Sequence, residues 1–384
     1  MVYTWGYDDF VKQVKLLHKM IEDEKDLKRK IYLQKVADTT DKLFHDTFNN
    51  FSAPRVTAKQ RFSAILGSVL SYGRYYSIVR NFLNACVDQL DLIDDISTKL
   101  EKIDNGENFD FLHTGAKISH TRTLSLVDKF YSKFDDELYQ AFSSVYKDRH
   151  HNTRFLPKTD NDDEKSNGYT LFIDGVKANF ISVRDITPLE NYGCAVHEYG
   201  HAIQNMINPE NSYTDKEDLF TEVASIFPEM IAMYENKGNF KEIEAAYYLY
   251  TMTVTNLDTA ELLTLHVPLV NAWASNKYVM SHNFFEEIEE DYDVDDECFE
   301  KILSTTLESE GCYVLSFIVS LELFHIYKKD KKEALNLFKR FLNCSAKEDV
   351  LTFVLENFSL NSHANEEISI ILDNFNKKLE RRFR

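Results

Sequence analysis

The chain has 384 residues and carries 63 acidic against 44 basic side chains, a formal net charge of −19. An acidic surface repels phosphate backbones and argues against binding nucleic acid through a basic face. Apolar residues (43%) and aromatics (13%) supply a sizeable core and exclude disorder, while only 11 Gly and 6 Pro argue against a turn-rich sandwich or a Gly-rich α/β fold.

In chain order, residues 8–50 read as one or two charged amphipathic helices, with Phe10, Val11, Val14, Leu17 and Ile21 at helical spacing. A more buried helix is expected from Thr57 through "GRYYSIVRNFL". Two further helical runs fill 114–146, joined near "SKFDDELYQAF". The clearest strand signal is "GYTLFIDGVKANFISV", two β-rich stretches around Asp174-Gly175, a good hairpin turn. From Pro188 helices return, at about 190–207, 216–236, 241–278, 283–307, 310–328, 331–343, 347–357 and 364–382. The acidic run Glu286–Glu297 reads as a solvated helix end and loop. The fold class is therefore mainly α, with a small β-hairpin or sheet beside one helix.

The five cysteines are widely spaced and include no C-x-x-C pair, which suits free thiols in a reducing compartment. The N-terminus carries no secretory pattern, and no apolar stretch approaches the roughly 20 residues of a membrane span. A cytoplasmic protein without membrane or nucleic-acid partners is expected.

"ENYGCAVHEYGHAIQNMI" (190–207) places His197, Glu198 and His201 in an otherwise apolar helix. Positions i and i+4 lie about 40° apart and one turn of roughly 5.4 Å along a helix, so both imidazoles can reach one ion. Glu198 projects about 100° away, too far to share that ion easily, but placed to act as a general base on a nearby water. The competing reading is a core helix with two locally satisfied histidines. Gly193, Gly200 and Gln204 project within about 60° of His197, and glycine costs roughly 1 kcal/mol in a helix, so something must approach closely on that side. Twenty-one positions after His201, Glu222 lies on the rim of the next apolar stripe, on the same side as Ser225 and Glu229. It is the candidate third metal ligand, the competing reading being an ordinary rim carboxylate. Pro228 is expected to disturb helical hydrogen bonding near Ala224.

"AVHEYGHAIQ" followed by "FTEVASIFPEM" resembles the thimet oligopeptidase/oligoendopeptidase F family of zinc metallopeptidases, the HExxH glutamate-zincins. The resemblance is good over about 165–230 and looser over about 110–345. It implies a large multi-helix zincin fold, with an N-terminal helical region at 1–110 and a catalytic region at 111–384. It implies Zn²⁺ held by His197, His201 and Glu222, with Glu198 as the catalytic base acting on a zinc-activated water. The implied activity is hydrolysis of short oligopeptides by a metalloendopeptidase. The segment Val176–Val183 is expected to supply an edge strand for the substrate main chain. The family pattern is not kept throughout. Gln204 stands where a histidine is common, and "GCYVLSF" keeps Tyr313 but has Leu315 and Phe317 where tyrosines are usual. Tyr313 is the candidate oxyanion donor.

Other histidines read as structural. His150 and His151 suit an exposed loop, and His266 and His282 suit core or surface positions, though either could replace the missing family histidine. The aromatic clusters "GRYYSIV" and "AAYYLYTM" read as helix packing. Two alternatives stand beside the peptidase: a zinc-retaining but inactive peptide-binding or scaffold protein, and a carboxypeptidase of a related helical zincin family.

Overall fold

The computed structural model describes residues 7–48, 58–104, 118–157, 168–209, 219–236, 238–275, 301–307, 310–344 and 350–382. They form a mainly helical fold with one three-stranded sheet.

Helices α1 (Tyr7–Asp23) and α2 (Leu27–Phe48) follow the amphipathic pattern. Phe10, Leu17 and Ile21 of α1 and Leu33 and Val36 of α2 are buried together with Ile173 and Phe180 from the hairpin. The helix expected from Thr57 is two helices, α3 (Ala58–Ser71) and α4 (Gly73–Cys86). Tyr72 between them leaves helical geometry, with φ −118° and ψ 27°. After α5 (Leu90–Asp104) come α6 (His120–Phe134) and α7 (Asp136–Tyr146). Asp135 separates this pair as an N-cap, its carboxylate accepting from the Glu137 and Leu138 amides. His150 and His151 lie in a one-turn helix, α8 (Arg149–Asn152), and are exposed.

Strands β1 (Thr153–Pro157), β2 (Gly168–Ile173) and β3 (Ala178–Asp185) form a sheet ordered β1-β3-β2. The hairpin is where the sequence put it, with Ile173 opposite Ala178. Its turn is a 3-10 turn at Asp174–Val176, left through Lys177 in the left-handed region at φ 51°. β1 was not anticipated; "TRFLP" is short, carries an arginine and ends in proline, so it lacks alternation. It pairs parallel to β3, with Thr153 opposite Ile181. This overturns one expectation: the 178–185 stretch is the central strand and both its edges are used. Among the described residues β2 is the outer strand on the hairpin side.

Helix α9 (Pro188–Ile207) starts at a Thr187 cap with Pro188 in the first turn. Asn191 locks it to the sheet, accepting from the Ile186 amide at 2.9 Å and donating to Asp185 Oδ1 at 2.5 Å. The buried Tyr131 hydroxyl donates to the Val196 carbonyl at 2.7 Å, one residue before His197. Next come α10 (Val223–Tyr234), α11 (Glu242–Thr264) and α12 (His266–Ser275). The single helix expected over 241–278 is broken at Leu265. Pro268 has no amide hydrogen to offer the Thr264 carbonyl, four residues back, and α11 ends at Thr264. His282, the acidic run and most of the helix expected at 283–307 fall outside the described residues.

The chain closes with α13 (Gly311–Lys329), α14 (Lys331–Leu342), α15 (Val350–Asn357) and α16 (Ala364–Arg382). α13 departs from the expectation that no segment is long and apolar enough to cross a membrane. It has 19 residues, but 78% of its apolar window is buried inside the protein, the place of a core helix. It shares the main core with Val196, Tyr199, Phe227 and Met230 of α9 and α10 and with Tyr76, Val79 and Phe82 of α4. Cys86, Cys194, Cys312 and Cys344 are thiols outside any disulfide, and all four are buried; Cys298 lies outside the described residues.

Candidate metal centre

α9 and α10 meet where α9 has no side chain. A Cβ at Gly200 would stand 2.3 Å from the Ala224 carbonyl oxygen and 2.9 Å from Ser225 Cα, so only glycine allows the two backbones this close. Ala224 is the residue whose carbonyl loses its helical donor to Pro228, yet α10 runs through Pro228 unbroken. The bare face of Gly200 thus receives the carbonyl that the proline leaves over.

That approach brings Glu222, the residue preceding α10, onto the two histidines. Glu222 Oε2 lies 3.1 Å from His197 Nε2 and 3.2 Å from His201 Nε2. The three ligand atoms fall within 4.8 Å of one another, and among the described residues no other group of three or more His, Cys, Asp or Glu converges in this way. Zinc bonds of about 2.0–2.1 Å at the tetrahedral angle separate neighbouring ligand atoms by roughly 3.3 Å, so the donor set has the span and chemistry of such a site. Ser225 Oγ donates to the same Glu222 oxygen at 2.9 Å and fixes the carboxylate.

The electrostatics favour a cation here. Burial disfavours charge on His197, but Glu229 and Glu222 outweigh it and hold its pKa well above the ordinary imidazole value. Burial likewise acts against the Glu222 carboxylate, and His201 and His197 more than offset it, leaving its pKa well below the usual range.

Glu198 sits apart from the ligand set, as its angular offset predicted. It is 3% exposed, and burial raises its pKa despite the opposing pull of His197 and His201. Thr170 of β2 fixes it, its hydroxyl lying 2.7 Å from Glu198 Oε2 and 2.9 Å from the Glu198 carbonyl oxygen. A carboxylate whose proton affinity is raised, held by one hydroxyl beside a cation site, is arranged to take a proton.

Two residues belong to this centre that the sequence analysis gave no part in it. Glu229 was placed on the Glu222 side of α10 without a role, and it accepts from His197 Nδ1 at 2.9 Å. Tyr248 was read as packing, and its hydroxyl donates to the other Glu229 oxygen. The pair fixes the ring so that Nδ1 carries the hydrogen and Nε2 faces Glu222. Gly193 makes room for it: a Cβ there would lie 2.5 Å from the Tyr248 hydroxyl oxygen. The spacing of Glu229, seven residues beyond Glu222 on one helix face, was the available signal; Tyr248 had none.

Tyr313 opens α13 and is 44% exposed. Surrounding protein still desolvates its phenol, and the nearby Glu222 carboxylate adds to the rise in its pKa. Leu315 and Phe317 are fully buried instead, and Phe317 packs edge-on against Phe82 with centroids 6.3 Å apart. They face the core, and Tyr313 alone of the three positions is exposed. Gln204 is buried. His266 is a core histidine, bonded to the Tyr76 hydroxyl and to the Ile302 carbonyl oxygen, each at 3.0 Å.

No family model matches the sequence, and neither does any curated protein. Solved structures do. A "putative oligoendopeptidase F" from Bacillus anthracis superposes with a TM-score of 0.50 at 15% identity, covering 92% of this chain and 64% of that one. A "putative peptidase" from Chlamydophila abortus gives 0.54 at 12% identity, covering 97% and 64%. The chain has the oligoendopeptidase F fold. It spans under two thirds of either of those longer chains. Within that fold, the two histidines come from one long helix and the carboxylate from the entrance to the next.

Proposed function

We propose that the protein is a zinc-dependent metallopeptidase that hydrolyses peptide bonds in short oligopeptides. The observation that carries this reading is the convergence of His197 Nε2, His201 Nε2 and Glu222 Oε2 with Glu198 held alongside. The three ligands would hold Zn²⁺, which when bound polarises a carbonyl and lowers the pKa of water. Glu198 takes the proton of the attacking water and delivers it to the leaving amine. Tyr313, whose phenol lies within electrostatic reach of Glu222, donates to the oxygen that gains charge. An extended peptide lies along β2, the strand whose Thr170 carries Glu198. Pairing through the main chain selects extended peptides with little side-chain discrimination.

The test is metal analysis joined to cleavage of short quenched peptides. Purified protein is expected to carry about one zinc per chain, to lose cleavage on chelation and to regain it with stoichiometric zinc. A zinc-loaded protein that cuts no peptide would favour the inactive peptide-binding alternative.

The partners of His197 give a second expectation. Glu229→Gln keeps the shape but weakens the acceptor that orients His197 Nδ1. Loss of such an orienting carboxylate typically costs about 10–100-fold in metal affinity. Competition with a chromogenic chelator measures it. Unchanged affinity in Glu229→Gln would make the His197–Glu229 bond a packing contact only.

A further inference from the structure

Glu198 meets β2 at two points, and only one of them is a hydrogen bond. Thr170 Oγ1 donates to Oε2 at 2.7 Å, which leaves Oε1 without a partner among the described residues. Oε1 is therefore the oxygen left for the attacking water. Two residues before Thr170, on the same face of the strand, β2 begins at Gly168. A Cβ there would lie 2.7 Å from Glu198 Oε1, 2.6 Å from Cys194 Sγ and 2.8 Å from the Ser182 carbonyl oxygen.

The three atoms around that bare position differ in how far they can yield. The Ser182 carbonyl belongs to the central strand β3, held by a neighbour on each side. Cys194 is a short, buried side chain one turn before Glu198 on α9. The Glu198 carboxylate ends the longest and most flexible of the three, so a side chain at position 168 displaces it first. Returning Oε1 from 2.7 Å to an ordinary contact of 3.4 Å takes a shift of about 0.7 Å. Misplacing a reacting group by on the order of 1 Å can cost about 10²-fold in rate.

We propose that Gly168 is a positioning residue for Glu198. By presenting no side chain it lets the carboxylate lie against β2 with Oε2 on Thr170 and Oε1 open to the water. This inference rests on the peptidase reading. Zinc-loaded Gly168→Ala is expected to lower kcat on short quenched peptides by roughly 10–100-fold, with KM and zinc affinity close to wild type. A glycine that served packing alone would move melting temperature, zinc affinity and KM together. The deciding comparison adds Gly168→Ala to Glu198→Gln. The base is already lost there, so the methyl should cost little more, whereas independent effects would multiply. The same comparison is repeated in Cys194→Ala. Removing the sulfur takes away the nearest contact and gives the methyl room, so the variant folds even where Gly168→Ala alone does not. The loss should be smaller there and should still require Glu198. The inference is overturned if folded, zinc-replete Gly168→Ala keeps the wild-type kcat, or if the methyl costs the same factor with and without Glu198. Zinc-loaded wild type that cuts no peptide would overturn the peptidase reading itself, and this inference with it.

Discussion

Glu198→Gln is expected to lower peptide cleavage by 10²–10⁴, equivalent to roughly 3–5 kcal/mol in the barrier, while zinc content stays at the wild-type level. The two halves of that expectation have separate causes. Glutamine cannot accept the water proton, so the rate falls. Glu198 lies outside the ligand set, so the metal stays. The substituted side chain can still accept from Thr170, whose hydroxyl lies 2.7 Å from Glu198 Oε2, so its placement is kept. Stability should not suffer either. The pKa of Glu198 is raised by burial, which means that folding penalises its charged form; a neutral amide removes that penalty. The measurement is cleavage of a quenched-peptide panel with zinc analysed in both proteins. Equal rates in wild type and variant would expose a contaminating peptidase. A rate loss that tracks a zinc loss would mean Glu198 belongs to the ligand set, against the geometry.

The parts of this molecule that the sequence made legible are those governed by local periodicity. Two imidazoles four residues apart on a helix share a face whatever surrounds them, so His197 and His201 could be paired from "HEYGH" alone. The hairpin was equally local, because Asp174-Gly175 separates two β-rich stretches. What stayed hidden depends on partners distant in sequence. β1 has no alternation of its own and exists because β3 offers a free edge. That pairing turned the expected edge strand into a central one and left β2 as the outer strand of the hairpin. Tyr248 looked like any aromatic on an apolar helix until α11 packed beside Gly193 and its hydroxyl met Glu229. The glycines themselves carried a readable message, that something comes close, but not what: at Gly200 it is the backbone of α10, and at Gly193 a phenol. Leu315 and Phe317 show the opposite case. They looked like losses from a tyrosine-rich clamp, and in the fold they are core residues of a buried helix.

His201→Ala should have the largest effect on the metal itself. A complete zinc site is worth roughly 10–16 kcal/mol, so one of three protein ligands carries on the order of 3–5 kcal/mol, or about 10²–10⁴ in affinity. Cleavage should fall with it, in contrast to Glu198→Gln, where rate and metal separate. The loss also reaches the fold. His201 is the strongest of the partners that offset burial of the Glu222 carboxylate and keep its pKa low, and without it that side chain, only 12% exposed, retains His197 and Ser225. Stranding a buried charge in part costs up to about 3–5 kcal/mol, so the melting temperature should drop even in chelator. Pairing the change with Glu222→Gln separates the two effects. The double variant has no carboxylate to strand, so it should recover melting temperature in chelator but not zinc affinity. Zinc retained at full stoichiometry and affinity in His201→Ala would place the metal elsewhere in the chain, and the peptidase reading built on this site would go with it.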